Sequence, residues 1–217
     1  VIDRSTLLRE DDLRRNGDFR RYTVTEDGIS QRLAPGTVGG VFKITGSEHD
    51  ERGFVSTDPV IRKAQVEKRL RKMETYLKED SMPPQVYGST EGNTVLVGWG
   101  STRPVLLHAQ QALRAKGIEA AVVHFSRLWP FNTAAAKPLL AKAQAIIAVE
   151  GNFTGQFADV IQTYCLLPVR RIVKYNGLPI YVSDIVGGVE QLLREKKTAI
   201  VRIGDAAPAP VKVAEGD

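Results

Sequence analysis

The chain has 217 residues, a formal net charge of +5 and 42% hydrophobic residues, which is ordinary for a soluble globular protein. It lacks any apolar run of the about 18 residues that a membrane-spanning helix requires, so we expect no membrane partner. Its single cysteine, Cys165, excludes an internal disulfide and an all-cysteine metal site. Cys165 lies in an apolar context typical of a buried, inert thiol, and this composition favours a cytoplasmic protein.

The first part of the chain predicts irregular structure followed by one long helix. Residues 1–58 are rich in Arg, Asp, Gly and Thr and predict loops and short strands, and a first residue of valine is typical of a processed or truncated chain. Residues 59–79 predict a helix, with Asp58 as its N-cap and Pro59 at its first position. A stripe on this helix predicts docking on another surface: Val60, Ala64, Val66, Leu70, Met73 and Leu77. Residues 1–80 thus form the first predicted region.

The same helix is strongly basic between residues 62 and 73, "RKAQVEKRLRKM". A solvated helix face is the favoured interpretation. Nucleic acid is the alternative, but no recognised binding motif or aromatic interleaving supports it, so we expect no nucleic-acid partner.

The rest of the chain predicts an α/β domain. The Pro- and Gly-rich residues 81–93 predict a linker. In the domain at 94–197, strands and helices alternate four times, which favours a three-layer, mostly parallel sheet. The predicted strands are 94–100, 119–125, 145–149 and 170–175, and the predicted helices are 103–117, 132–143, 155–165 and 183–196. Residues 198–217 predict a tail.

Ligands and partners of such sheets meet the carboxyl ends of the strands, so the loops there are candidate sites. The loop "GWGSTRP" (98–104) follows the first strand. Its residues Gly98 and Gly100, with Ser101 and Thr102 as N-caps, form a candidate anion-binding loop, because such a turn leaves N–H groups free at a helix start. A structural turn is the favoured alternative, since the loop matches neither a P-loop nor a complete dinucleotide fingerprint.

The second loop, in "VEGNFTGQFADVI" (149–161), follows the third strand. The sequence predicts that Asn152 or Thr154 caps the next helix, and that Gly155 lets this helix pack closely on the sheet. One interpretation is a capped helix with a solvated glutamate. The other gives Glu150 a specific partner, because a carboxylate directly after five apolar residues is costly to bury unpaired.

A third cluster lies in the first region, in "TGSEHDERG" (45–53). Glu48, His49, Asp50 and Glu51 in one short loop are suited to binding a cation or positioning an acid–base histidine. Ordinary polar loops have the same composition, and one imidazole with flexible carboxylates is a poor transition-metal cage. We expect no metal at this loop.

Seven stretches in order resemble the alpha subunit of 2-oxoacid:ferredoxin oxidoreductases, especially the 2-oxoglutarate synthase type. They are "RYTVTEDGISQRLAPG", "TGSEHDERG", a Lys/Arg-rich helix, "VLVGWGST", "LWPF", "VEGNFTGQFADVI" and "YNGLPIYVSDIV", and they run from about residue 20 to 195. The resemblance is to the C-terminal portion of that subunit. It implies the end of a thiamine-enzyme pyrimidine-side domain, a long helix and a transketolase C-terminal-like domain.

The resemblance implies a complex that oxidatively decarboxylates a 2-oxoacid with thiamine diphosphate, Mg, an iron–sulfur cluster, coenzyme A and ferredoxin. The cofactors are mainly on the beta subunit, so we expect this chain to bind none of them and not to be catalytic alone. Its expected partners are the beta subunit, the rest of the alpha subunit and, through the complex, ferredoxin. The resemblance assigns seven residues as substrate-proximal or interface residues: Arg32, Glu48, His49, Asp50, Glu150, Asn152 and Gln156.

Two alternatives remain open at this stage. One is a C-terminal domain of a transketolase or of the beta chain of a 2-oxoacid dehydrogenase E1 enzyme, against which "EHDERG" and "DGISQR" favour the ferredoxin type. The other is a non-catalytic subunit-interaction module. The 2-oxoacid itself is not determined by these residues.

Overall fold

A computed structural model describes residues 7–16 and 18–204 of the chain. The chain divides into two compact units, Val1–Ser81 and Met82–Asp217. Among the described residues, no helix combines the length and apolar character needed to cross a membrane.

The first unit has little regular structure besides one long helix. Strand β1 (Leu7–Leu8) pairs in parallel with β2 (Arg32–Leu33), and helix α1 (Glu10–Asn16) lies between them in sequence. Helix α2 (Pro59–Glu79) has the predicted bounds, and the Asp58 carboxylate accepts hydrogen bonds from the Val60 and Ile61 N–H groups. The predicted N-cap is therefore confirmed.

Helix α2 packs with polar residues against the preceding loop. The Gln65 amide and the Lys68 ammonium both donate to the Tyr22 carbonyl at 3.0 Å, and both side chains are buried. Val60 and Leu70, from the predicted apolar stripe, are 74% and 60% exposed. The face of α2 that carries Gln65 and Lys68 thus packs against the loop through hydrogen bonds to the Tyr22 carbonyl group.

A close contact holds the same loop on α2. Gly28 has φ of +77°, and a Cβ at this position would lie 2.4 Å from the Lys72 nitrogen and 2.5 Å from the Lys68 carbonyl oxygen. Nearby, Thr75 donates its hydroxyl to the Asp27 carbonyl at 2.7 Å. Only glycine fits so close to the helix backbone.

The second unit is a six-stranded sheet in the order β3-β5-β4-β6-β7-β8. Strand β3 is antiparallel to β5, and all the other neighbours are parallel. The strands are β3 (Gln85–Tyr87), β4 (Thr94–Trp99), β5 (Ala120–Phe125), β6 (Ala145–Glu150), β7 (Arg170–Val173) and β8 (Ile200–Arg202). The helices are α3 (Arg103–Ala115), α4 (Thr133–Leu140), α5 (Gln156–Cys165) and α6 (Val182–Arg194).

Helices cover both faces of the sheet. One core lies under α4 and α5, where Phe157 and Ile161 pack with Val95, Val97 and Ala148. The other lies under α3 and α6 and contains Leu106, Leu113, Ile185 and Val189. The central strands are buried on both sides, which explains their continuous apolar sequences. The predicted three-layer, mostly parallel α/β fold is confirmed.

Two edge strands lie outside the predicted α/β segment. Strand β3 falls in the predicted linker 81–93, and β8 falls in the predicted tail. Each has three residues and no fully buried run, so neither produces a clear pattern in the sequence. The predicted tail beyond residue 204 lies outside the described residues.

Candidate functional site

A cavity of the second unit lies at the carboxyl edge of the sheet, where the strand order reverses. From β4 the chain passes through α3 to β5 on one side, and β6 lies on the other side of β4. In open α/β sheets this switch point is where ligands bind. The cavity has a volume of about 570 Å³, and three loops line it: Trp99–Val105 after β4, Gly151–Gln156 after β6, and Leu178–Ile180 after β7. It therefore brings together the two loops predicted from the sequence.

Glu150 and Asn152 close the N-terminus of α5. The Glu150 carboxylate accepts the Phe157 N–H at 2.9 Å and the Ala158 N–H at 3.0 Å. The Asn152 side-chain oxygen accepts the Gly155 N–H at 2.7 Å and the Gln156 N–H at 3.2 Å. Together they satisfy the four N–H groups that a helix start leaves without partners.

The two capping side chains also bind each other. The Asn152 amide donates to Glu150 Oε2 at 2.8 Å, and Glu150 is only 1% exposed. A negative charge at this position is favourable because it faces the positive end of the helix dipole. The predicted cap by Asn152 is present. The buried Glu150 carboxylate has its hydrogen-bond partners in the same loop and in α5.

The hydrogen bonds of Glu150 bear on its expected interface role, which stays a prediction. All its recorded partners belong to the same unit, and its carboxylate is buried within this chain. A carboxylate whose oxygens are already occupied by nearby N–H groups needs no partner from outside. Asn152 and Gln156 line the cavity, whereas Glu150 does not.

An arginine supports the outer side of the same loop. Arg171, in β7, donates to the Thr154 carbonyl at 2.9 Å and also binds Asp159 on α5. A Cβ on Gly155, which has φ of +72°, would lie 2.7 Å from the Arg171 side chain. This position requires glycine, as the sequence predicts, because the arginine occupies the space beside it.

The turn after β4 is built differently from the predicted cap. The Thr102 hydroxyl donates to the Trp99 carbonyl at 2.9 Å, and a short 3₁₀ turn at Gly100–Thr102 leads into α3. Neither Ser101 nor Thr102 caps α3 with its side chain, because the turn uses the chain's own carbonyl groups instead. A Cβ on Gly98 would lie 2.3 Å from Leu106, so this glycine permits α3 to cross close to β4.

The buried side chain of His124 holds the turn after β4 by a hydrogen bond. His124 Nε2 lies 3.0 Å from the Gly100 carbonyl oxygen, so the ring donates to it. His124 is 5% exposed, and its Nδ1 has no hydrogen-bond partner in the described part of the chain. The interaction holds Gly100, whose φ is +57°, in its left-handed conformation.

An ion pair shapes the third loop. Lys174 Nζ donates to Asp184 Oδ2 at 2.7 Å and lies 4.3 Å from the centroid of the Tyr181 ring. The same Asp184 oxygen accepts the Tyr181 N–H at 2.9 Å, which starts α6. Both ends of the loop that supplies Leu178–Ile180 are thus tied to one carboxylate.

The predicted cluster in the first unit forms structural contacts. The Glu48 carboxylate binds the Arg69 guanidinium at 3.0 and 2.7 Å, and this pairing lowers the pKa of Glu48 to about 2. His49 Nδ1 lies 3.0 Å from the Ser47 carbonyl oxygen, and Asp50 Oδ1 accepts the Arg52 and Phe54 N–H groups. Arg32 is an exposed residue of β2.

The charge distribution limits the chemistry of these sites. Among the residues that the structure describes, no Lys, Arg, Asp or Glu lines the switch-point cavity. Among residues 7–16 and 18–204, no group of His, Cys, Asp and Glu is arranged to hold a metal ion. The cavity is suited to binding rather than to proton transfer, because it contains no acid–base side chain.

Sequence reasoning missed part of the cavity wall. Trp99 and the Leu178–Ile180 segment were not singled out as site residues, although "NGLP" is a turn signal that directly follows a strand. The segment follows a parallel strand, so its position at the same sheet edge as the other two loops could have been predicted from the sequence.

The fold and this edge define the class of protein. Residues 88–182 match the transketolase C-terminal domain family, so this part of the chain is a domain of that class. Over most of its length the chain is moreover homologous to part of the alpha subunits of 2-oxoacid:ferredoxin oxidoreductases, which confirms the resemblance found in the sequence.

The individual matches agree with one another. The chain is 35% identical over 189 residues to 2-oxoacid:ferredoxin oxidoreductase 2, subunit alpha, of Aeropyrum pernix, covering 85% of this chain and 29% of the relative. It is 31% identical over 192 residues to the alpha subunit from Saccharolobus solfataricus, covering 87% of this chain and 30% of the relative. The chain therefore spans less than a third of the length of these relatives.

A solved structure is also similar. It is the 2-oxoglutarate:ferredoxin oxidoreductase from Magnetococcus marinus with 2-oxoglutarate, coenzyme A and succinyl-CoA bound. The sequence identity is 30%, the TM-score is 0.67, and the match covers 81% of this chain and 31% of that chain.

Proposed function

We propose that the chain is part of the alpha subunit of a thiamine diphosphate-dependent 2-oxoacid:ferredoxin oxidoreductase. The enzyme would oxidatively decarboxylate a 2-oxoacid, with 2-oxoglutarate as the first candidate, using coenzyme A and ferredoxin. The beta subunit and the remainder of the alpha subunit are the proposed partners, and the cytoplasm is the proposed location.

The observation that supports this proposal best is the 35% identity to an alpha subunit across 85% of the chain. Because this match includes the irregular first unit as well as the α/β unit, it favours the ferredoxin type over the transketolase and dehydrogenase alternatives. The bound 2-oxoglutarate of the Magnetococcus marinus enzyme supports the choice of substrate.

The single cysteine of this chain does not fit a four-cysteine iron–sulfur cluster. A four-cysteine iron–sulfur cluster cannot be held by Cys165 alone, which is buried and whose thiol pKa is raised by that burial. A magnesium ion bound to a diphosphate needs only one or two carboxylates from the protein, so thiamine diphosphate and its Mg are placed with the cluster by the family resemblance alone. We therefore assign these groups to other parts of the complex, mainly the beta subunit.

The site residues of this chain receive supporting roles in the proposal. Asn152 and Gln156 would be substrate-proximal or interface residues, since they border the carboxyl-edge cavity. Phe153 and Tyr175, which form an exposed edge-to-face pair with centroids 4.9 Å apart, extend the same edge. Exposed aromatic residues of this kind are enriched at protein interfaces. In the first unit, Arg32, Glu48, His49 and Asp50 are proposed as further substrate-proximal or interface residues.

The experiment is a reconstitution. The complete alpha polypeptide that contains this chain is combined with its beta subunit and assayed for reduction of a viologen dye with 2-oxoglutarate and coenzyme A. Turnover that depends on both substrates and both subunits is expected. The 217-residue chain alone is the control and should give no turnover.

Two results would contradict the proposal. Turnover by the chain alone would show that it holds the catalytic groups itself. A reconstituted complex that oxidises no 2-oxoacid would contradict the proposed activity. Preference for pyruvate would contradict only the choice of 2-oxoglutarate as the substrate.

A further inference from the structure

We propose that the switch-point cavity between β4 and β6 is a binding site for an uncharged heteroaromatic ring, such as a nucleobase. The proposal depends on the geometry of the second unit and not on the activity of the complete enzyme.

The position and size of the cavity are the first argument. It lies over the carboxyl ends of β4, β6 and β7, at the point where the connections diverge to opposite faces of the sheet. Its volume of about 570 Å³ falls within the roughly 300–1,000 Å³ that is usual for small-molecule pockets.

The electrostatics at the start of α5 disfavour a phosphate or carboxylate as the recognised group. An anion at this edge would use the N–H groups at the start of α5, but Glu150 and Asn152 already accept all of them. The buried Glu150 carboxylate adds a negative charge next to that helix start, and no cationic side chain lines the cavity.

The remaining wall groups favour a flat, neutral ligand with a polar edge. Trp99, which is 37% exposed, offers an aromatic surface on which a ring can stack. Val105, Leu178 and Ile180 supply apolar walls. The Gln156 side chain forms no recorded hydrogen bond in the described part of the chain, so its amide has both a donor and an acceptor available.

The neighbouring geometry keeps these groups in place. The Thr102 hydrogen bond to Trp99, the caps on α5, and the Lys174–Asp184 pair fix the three loops separately. A pre-formed pocket of this kind binds without ordering its walls.

The test uses the two tryptophans of the chain, Trp99 and Trp129. In a Trp129→Phe background, Trp99 is the sole tryptophan and its fluorescence reports on the cavity wall. We expect a saturable change with adenosine and with coenzyme A, and none with pantetheine or inorganic pyrophosphate. Binding of adenosine alone would identify a free nucleoside as the ligand, and equal or tighter binding of coenzyme A would identify the base of a larger molecule. Both results support a base-binding site.

Two cavity variants and one control variant check that the cavity is responsible. Gln156→Leu should weaken adenosine binding about tenfold, the loss expected for one to two hydrogen bonds. The matched substitution Gln111→Leu, at an exposed α3 position that does not line the cavity, should leave binding unchanged. Gly151→Met should block binding, because a side chain there meets only the Lys174 carbonyl oxygen, at 3.9 Å, and starts from the cavity wall.

Three results would overturn the proposal. The first is the absence of a saturable change with adenosine and coenzyme A, together with unchanged NMR signals of the Gln156 side-chain amide. The second is equal binding of pyrophosphate, which would make the site an anion site. The third is a Trp99 signal that responds only to assembly with the other subunit, which would make the cavity a protein docking surface.

Discussion

Replacing Glu150 with alanine should destabilise the second unit strongly. The substitution removes the acceptor of the Phe157 and Ala158 N–H groups and of the Asn152 amide, all at 2.8–3.0 Å, at a position that is 1% exposed. A buried donor without a partner costs about 1–3 kcal/mol. Two such backbone groups, with the lost charge–dipole interaction of about 1 kcal/mol, give an expected loss of about 3–7 kcal/mol.

The loss is large compared with the stability of a typical domain, about 5–15 kcal/mol. Urea unfolding of the 217-residue chain, followed by tryptophan fluorescence, measures it directly. Both tryptophans, Trp99 and Trp129, lie in the second unit, so the signal reports on that unit alone. Glu150→Gln keeps one acceptor oxygen and should lose about 1–3 kcal/mol.

A matched control separates capping from the loss of any glutamate. Glu190, which is paired with Lys116 on the surface at 2.7 Å, should cost at most about 1 kcal/mol when replaced by alanine. If Glu150→Ala loses no more than this control, the capping argument is wrong. An unchanged stability with weakened assembly to the other subunits would instead restore the interface hypothesis drawn from the sequence.

Two further predictions concern the first unit. Gly28→Ala should detach the loop at residues 22–30 from α2, because its Cβ would lie 2.4 Å from the Lys72 nitrogen, and limited proteolysis should then cut that loop faster. Gly36→Ala is the control with a similar φ, +86°, and open space around it, and equal cleavage of both variants would contradict the steric argument. Lys68 has its pKa lowered to about 8, first by burial and then by the nearby Arg21, Lys72 and Arg69 charges. Because the unfolded chain then binds more protons than the folded one, the stability of this unit should rise from about pH 8 towards the ordinary lysine pKa of 10.5. Lys68→Met should abolish that rise, and an NMR titration that places Lys68 near 10.5 would refute the assignment.

The core of the α/β unit could be predicted because its strands are buried on both faces. Strands such as Val95–Val97 and Ile146–Val149 are continuous apolar runs, and caps and glycines separate them from the helices. The edge strands β3 and β8 could not be predicted, since each has only three residues, too few for a periodic signal, and their pairing is decided by distant residues.

The candidate site was predictable by position but not by the direction in which its side chains point. The carboxyl-edge rule brought the loops after β4 and β6 together, as the cavity confirms. The sequence did not show that Glu150 turns back to the N–H groups of Phe157 and Ala158, because that contact depends on how the loop folds. Likewise, an apolar stripe on α2 was visible in the sequence, whereas the burial of Gln65 and Lys68 depends on carbonyl groups of a loop about 40 residues away.

The self-contained cap on α5 has a thermodynamic consequence for whatever meets this edge. Glu150, Asn152 and Arg171 hold the loop in one conformation through contacts within the chain. A loop that is already ordered loses little conformational entropy when a ligand or another subunit arrives. Ordering of this loop should therefore add only a small entropic cost to association at this edge. The specificity of association should come from the shape that the free chain already has.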